Sequence, residues 1–172
     1  MIRPRPPTRD SLMPLYPNAT SISEMRTMLD GAQMFRDFDW PQIEALSAYI
    51  KLFHAAPGTV VFREGDRGDF MCVVLKGQLD IRKQDANSVE RSVATVAAGR
   101  SLGEMALVDS EARSATAVVM EFAVLAVLTQ EDLQLITRDT PALAVKIVLK
   151  IAQMISQRLR STSGILVEYL GK

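Results

Sequence analysis

Glu104 and Arg113 carry the chemistry of the stretch SLGEMALVDSEARSATAVV, residues 101–119. Gly103 leads a turn into a short helical segment over residues 104–107, a backbone that exposes N–H groups with little steric cover. Such a turn holds anions. Arg113, nine residues after Glu104, stands at the start of a β-branched run, where its guanidinium can give paired, charge-assisted bonds to a phosphate. Ser114 can add a hydroxyl. Ionised Glu104 only accepts, so it asks for a hydroxyl donor beside the anion, such as a ribose 2′-OH. An anion next to a sugar hydroxyl describes a nucleotide. A solvated Glu and Arg on an ordinary surface loop are the alternative.

Other chemistries lack their residues. The chain has one cysteine, Cys72, in the apolar run FMCVVL, and one histidine, His54. Neither a Cys-His dyad nor a Cys/His metal cluster can be assembled from them. Cys72 reads as a small core residue, and His54 as a structural or solvent-facing one between a helix and a strand. The Glu131-Asp132 pair sits in a helix's first turn, where the dipole favours negative charge. No Walker loop and no G-x-G-x-x-G is present. The expectation is a binding protein, not an enzyme, without metal or cofactor. Lys plus Arg and Asp plus Glu each number 20, so no general basic surface suggests nucleic acid or anionic membrane as a partner. The N-terminal MIRPRPPTRD lacks the apolar core of a secretory signal, and the apolar run PALAVKIVLKIAQMI is interrupted by Lys146 and Lys150. A cytoplasmic location without membrane contact is expected.

These residues need a scaffold. Residues 1–20 hold five of the eight prolines and read as an extended leader, or an arm packed on a partner subunit. Residues 21–56 read as N-terminal helices. Ile22, Met25, Met28 and Leu29 have helical spacing before Gly31, and Asp39 with Gln42 forms a capping box ahead of the stripe Ile43, Leu46, Tyr49 and Ile50. Over 57–129 the segments TVVFRE, FMCVVL, QLDIRK, SVERSVATV, SATAVVM and FAVLAVLT alternate with polar turns, as in a compact β-sandwich or barrel. Residues 130–172 return to helix. Thr129 with Asp132 caps the first, and Thr140 with Pro141 opens a longer one with Leu143, Ile147, Ile151, Ile155 and Leu159 along one stripe. That stripe, widened by Val148, Ala152 and Met154, is broader than one core contact needs.

The order of residues narrows the reading. GEMALVDSEARSAT resembles the phosphate-binding cassette of the cyclic nucleotide-binding domain family, with Gly103, Glu104, Ala106, Leu107, Arg113, Ala115 and Thr116 at matching positions. Upstream, VVFREGDRGDFMCVVLKGQLDI matches a second family pattern through Gly65, Asp66, Gly68, Asp69 and Gly77. The resemblance spans roughly residues 35–165. It implies a mainly β, α+β fold: an antiparallel β-roll or double-stranded jelly roll with N-terminal helices, a cassette at 101–116 and a long C-terminal helix. It implies that Arg113 pairs with the cyclic phosphate and that Glu104, beside Gly103, takes the ribose 2′-OH. Backbone N–H groups at Ala106 and Ala115 would complete the cradle, with Met105 and Ser114 alongside. Leu102 and Ala112 replace the Phe and Pro usual in the family, and neither change removes a contacting group.

In catabolite-activator-like members, a Thr-Ser pair near the end of the long helix reads adenine, one residue from each subunit. Thr162 and Ser163 match that pair, whereas ordinary capping before Gly164 is the plainer reading. The resemblance therefore implies a cAMP or cGMP sensor, with cAMP favoured. The helix over 141–163 would be both lid and homodimer contact, signalling to an unknown protein partner. No helix-turn-helix follows residue 163, so DNA binding by this chain is not expected. A regulatory module with a silent pocket, or part of a transcription regulator, are the competing readings.

Overall fold

The computed structural model describes residues 12–15 and 19–170. Helix α1 spans Ala19–Gly31, and a single 3-10 turn follows at Gln33–Phe35. Helix α2, Trp40–Ser47, opens on the expected capping box. The Asp39 side chain accepts from the Gln42 N–H at 2.9 Å, and the Gln42 side chain accepts from the Asp39 N–H at 3.1 Å. Strands β2 (Lys51–Ala55), β3 (Val60–Phe62), β4 (Phe70–Lys76), β5 (Gln78–Gln84), β6 (Glu90–Ala97) and β7 (Ser101–Leu102) lead to the short helix α3, Glu104–Asp109. Strands β8 (Thr116–Val119) and β9 (Ala123–Thr129) complete the β-structure. Helix α4, Gln130–Asp139, carries the Thr129–Asp132 box, and α5 runs from Pro141 to Leu170.

A short strand β1, Met13–Leu15, joins one edge. The sheets are antiparallel, one ordered β1-β2-β9-β4-β7 and the other β3-β8-β5-β6. Strands β4 and β9 are apolar at almost every position because both their faces are covered. Phe70, Cys72, Val74, Leu125 and Val127 join Phe62, Leu79 and Ala117 in one core. The alternate residues Met71, Val73, Leu75, Ala126 and Leu128 pack against Leu29, Ile43, Leu46, Ile136, Ile147 and Ile151 from the helices. This is the antiparallel β-roll with flanking helices and a long terminal helix.

Three expectations need correction. Residues 51–55 are strand β2, not part of an N-terminal helical region, so His54 lies within a sheet, stacked on Phe122. Leu52, Phe53 and Ala55 face both cores, which hides the period-2 signal. Within the supposed leader, Leu12 is buried and residues 13–15 pair with β2 of the same chain; the rest of 1–20, except 19–20, lies outside the described residues. The long helix does not stop before Gly164. It continues to Leu170, so Thr162 and Ser163 are interior helical residues rather than a C-cap. Gly164 meets nothing within 4 Å on that surface, and its cost there is about 1 kcal/mol against the flanking helix formers.

Candidate functional site

Arg113 is pinned by its surroundings. The loop carrying Gly65, Asp66, Gly68 and Asp69 wraps its backbone: Arg113 N–H donates to the Asp66 carbonyl at 2.8 Å, and its carbonyl accepts from the Gly65 N–H at 2.9 Å. The side chain is 4 % exposed. Nη1 donates to the Gly103 carbonyl at 3.0 Å and Nη2 to the Phe70 carbonyl at 2.8 Å. The guanidinium carbon lies 4.2 Å from the Phe62 ring centre and 4.5 Å from that of Phe70. Burial pushes its pKa below the ordinary arginine value, opposed by the Cys72, Asp69, Asp66 and Glu104 side chains. Nε, by contrast, is buried without a hydrogen-bond partner.

The upstream glycine motif thus serves the arginine. A Cβ on Gly68 would stand 2.2 Å from the Ala106 Cβ and 3.1 Å from Arg113 Nε. Gly103 is left-handed at φ 78°, and a Cβ there would lie 2.6 Å from Arg113 Nη1. Both glycines let backbone and guanidinium meet.

Glu104 opens α3 and is fully buried. Arg158 of α5 donates through Nη1 to Glu104 Oε1 and through Nη2 to the Ser101 carbonyl, the latter at 2.9 Å. Glu104 Oε2 has no partner. A buried carboxylate oxygen without a donor and a buried guanidinium N–H without an acceptor are each costly alone. Both residues line one cavity of about 600 Å³, the size of a small-molecule site.

The same cavity is lined by Gly103, Met105, Ala106 and Ser114 of the cassette, with Met105 43 % exposed. Ile81, Ala94, Thr95 and Val96 form a wall from β5 and β6, and α5 closes it with Met154, Gln157, Arg158, Ser161 and Thr162. Ala115 and Ser163 stand outside the lining; Ser163 is exposed, its Oγ donating to the Leu159 carbonyl at 2.9 Å. Arg158 was not foreseen from the sequence. Its signal was position, four residues before Thr162 on one helical face, but a lone Arg in QRLR reads as solvated. No group of metal-ligating side chains occurs among the described residues, and no described helix is long and apolar enough to cross a membrane.

The sequence pattern of the cyclic nucleotide-binding domain matches residues 52–139, just over half the chain. The chain belongs to the cyclic nucleotide-binding domain family. This family is one of regulatory binding domains rather than catalysts. The chain is 27% identical over 132 residues to the cyclic AMP receptor protein of Thermus thermophilus, covering 77% of this chain and 59% of that protein. It is 30% identical over 122 residues to a cAMP-dependent protein kinase regulatory subunit of Hypocrea atroviridis, covering 65% of this chain and 26% of that one. It therefore spans only part of the length of these relatives. Among solved structures, a cyclic nucleotide-binding domain from Methylobacillus flagellatus superposes with a TM-score of 0.80 at 25% identity, covering 93% of this chain and 90% of that one. The two stretches that resemble the family's patterns meet at Arg113, whose backbone bonds to Gly65 and Asp66 and which lines the cavity.

Proposed function

We propose that this chain is a cyclic nucleotide sensor that prefers cAMP to cGMP and passes occupancy to a protein partner through α5. The single observation that carries this reading is the complementary pair of unpartnered buried atoms, Arg113 Nε and Glu104 Oε2, on two residues that line one cavity. A 3′,5′-cyclic monophosphate supplies both missing partners: a phosphate oxygen for Nε and a ribose 2′-OH for Oε2. Nη1 and Nη2 are already committed to carbonyls, which fixes the plane of the guanidinium before a phosphate arrives. The wall of Ile81, Ala94 and Val96 suits an apolar purine face.

The coupling is Arg158. It ties α5 to the carboxylate that would hold the ribose, so ligand and helix share one residue. A ligand shifts a helix only through such a differential contact. The preference for cAMP is supported by relatives named for cAMP. The helix over 141–163 is also the proposed homodimer contact, since Val145, Leu149 and Leu159 are 59%, 58% and 67% exposed in the single chain. The balance of 20 basic against 20 acidic residues favours a protein over DNA as this chain's own partner. Calorimetric titration of the purified chain with cAMP and cGMP tests this. Saturable binding of both, tighter for cAMP, is expected; no heat and no change in melting temperature at millimolar ligand would refute it.

A further inference from the structure

Helix α3 ends at Ser110, whose backbone is left-handed at φ 58° although it carries a side chain. Glycine takes this conformation without steric cost; serine does not. Two bonds keep Ser110 there. Its N–H donates to the Ala106 carbonyl at 3.1 Å, and its Oγ accepts from Gln130 Nε2 at 2.8 Å. Gln130 is the first residue of α4, and its own N–H donates to the Asp69 carbonyl at 2.8 Å. Asp69 precedes Phe70, whose carbonyl takes Arg113 Nη2. Gln130 therefore grips both stretches that lead to the arginine, the glycine loop through its backbone and the end of α3 through its side chain. We infer that Gln130 and Ser110 are a pair of positioning residues for the nucleotide site, through which the start of α4 sets the place of Arg113.

Neither Gln130 nor Ser110 lines the cavity, so the pair acts through backbone position rather than by touching a ligand. Only Glu111 and Ala112 separate Ser110 from Arg113, and neither has the fixed φ of a proline. Without the Gln130 bond, the turn over 110–112 is free to move in the empty protein. A ligand must then order it, and that ordering is a cost in affinity. This inference rests on the cyclic nucleotide reading and adds to it a pair of residues outside the cavity.

The test is cAMP calorimetry, with thermal melting of the ligand-free protein, on the full chain and on Ser110→Gly, Gln130→Ala, their double variant and Ser88→Gly. Ser88, in the β5–β6 turn and outside the cavity lining, is the other non-glycine residue with positive φ among the described residues, at 60°. Both glycine variants should melt close to the wild-type temperature, because relief of a left-handed serine offsets the freedom that glycine gains on unfolding. Ser88→Gly should bind cAMP as the wild type does. Ser110→Gly and Gln130→Ala should each bind it about fivefold more weakly, the worth of one hydrogen bond. The double variant should bind no more weakly than either single one, because both remove the same bond. Wild-type affinity in Ser110→Gly or Gln130→Ala, losses that multiply in the double variant, or an equal loss in Ser88→Gly would each overturn the inference while leaving cyclic nucleotide binding intact. A wild type that binds no cAMP removes both.

Discussion

Arg158 reaches across the cavity from α5 to the fully buried Glu104, so the helix that closes the site is fastened to the residue that would hold the sugar. Only one carboxylate oxygen is taken; the other remains for a ligand hydroxyl. Arg158→Ala is expected to weaken cAMP binding roughly tenfold or more, because it strips the cation from a buried carboxylate. It should also loosen residues 154–162, read as faster amide exchange in the ligand-free protein. Unchanged affinity and exchange would mean that the contact carries no coupling.

Arg113 has an observed structural role and a proposed binding role that mutation can separate. Arg113→Leu should reduce affinity by roughly 2–5 kcal/mol, since the phosphate loses its buried partner. It also leaves the Gly103 and Phe70 carbonyls without their donor, so the melting temperature should fall as well. Arg113→Lys should recover part of the stability and little of the binding, because one ammonium cannot serve both carbonyls and the phosphate in a planar fork. Full binding by the Lys variant would contradict this division.

Gly68 is held by crowding, not by a left-handed backbone. Gly68→Ala is expected to cost about 1–3 kcal/mol by overpacking, seen as a lower melting temperature, and to weaken nucleotide binding through displaced Arg113. A variant as stable and as competent as wild type would show that the loop does not grip the arginine.

These cases show what was legible in the sequence. Both capping boxes and most strands could be read because each rests on local chemistry, such as a side chain three residues from a backbone N–H; the cassette was legible only through its resemblance to the family, since a Glu and an Arg beside a glycine turn also suit a solvated loop. Strands β1, β2 and β7 were not legible. The first two sit beside prolines or bury alternate residues in two different cores, and β7 is only Ser101–Leu102. Arg158 and Ser161 were equally hidden, because a helix's polar residues look solvated until a cavity is known to lie beneath them. The length of α5 was misread at Gly164, where exposure removes any packing demand for a side chain.

Asp132 gives a pH-dependent prediction. Burial alone would raise its pKa, but the Thr129 hydroxyl and N–H and the Lys51 ammonium, 3.0 Å from Oδ1, together hold it below the ordinary carboxylate value. A depressed folded-state pKa stabilises above the unfolded value and loses that contribution as pH falls through the folded one. Asp132→Asn should therefore lower the urea midpoint at neutral pH by the equivalent of about 1–2 kcal/mol. The gap should close as pH drops below the carboxylate range; a gap independent of pH would contradict the ion pair's role.

The exposed face of α5 is the proposed homodimer contact. Leu149→Glu places a charge where the single chain leaves an apolar side chain 58% exposed. Sedimentation should show a dimer for wild type and a folded monomer for the variant. A monomeric wild type would exclude this face as a homodimer contact.

The central claim is that Glu104 Oε2 and Arg113 Nε await the two ends of one cyclic nucleotide. Its most direct measurement is a calorimetric comparison of cAMP with 2′-deoxy-cAMP on the wild-type chain. The expected result is saturable cAMP binding and at least tenfold weaker binding of the deoxy analogue, because a buried carboxylate oxygen is left without its donor. Equal affinities, or binding of neither, would contradict it.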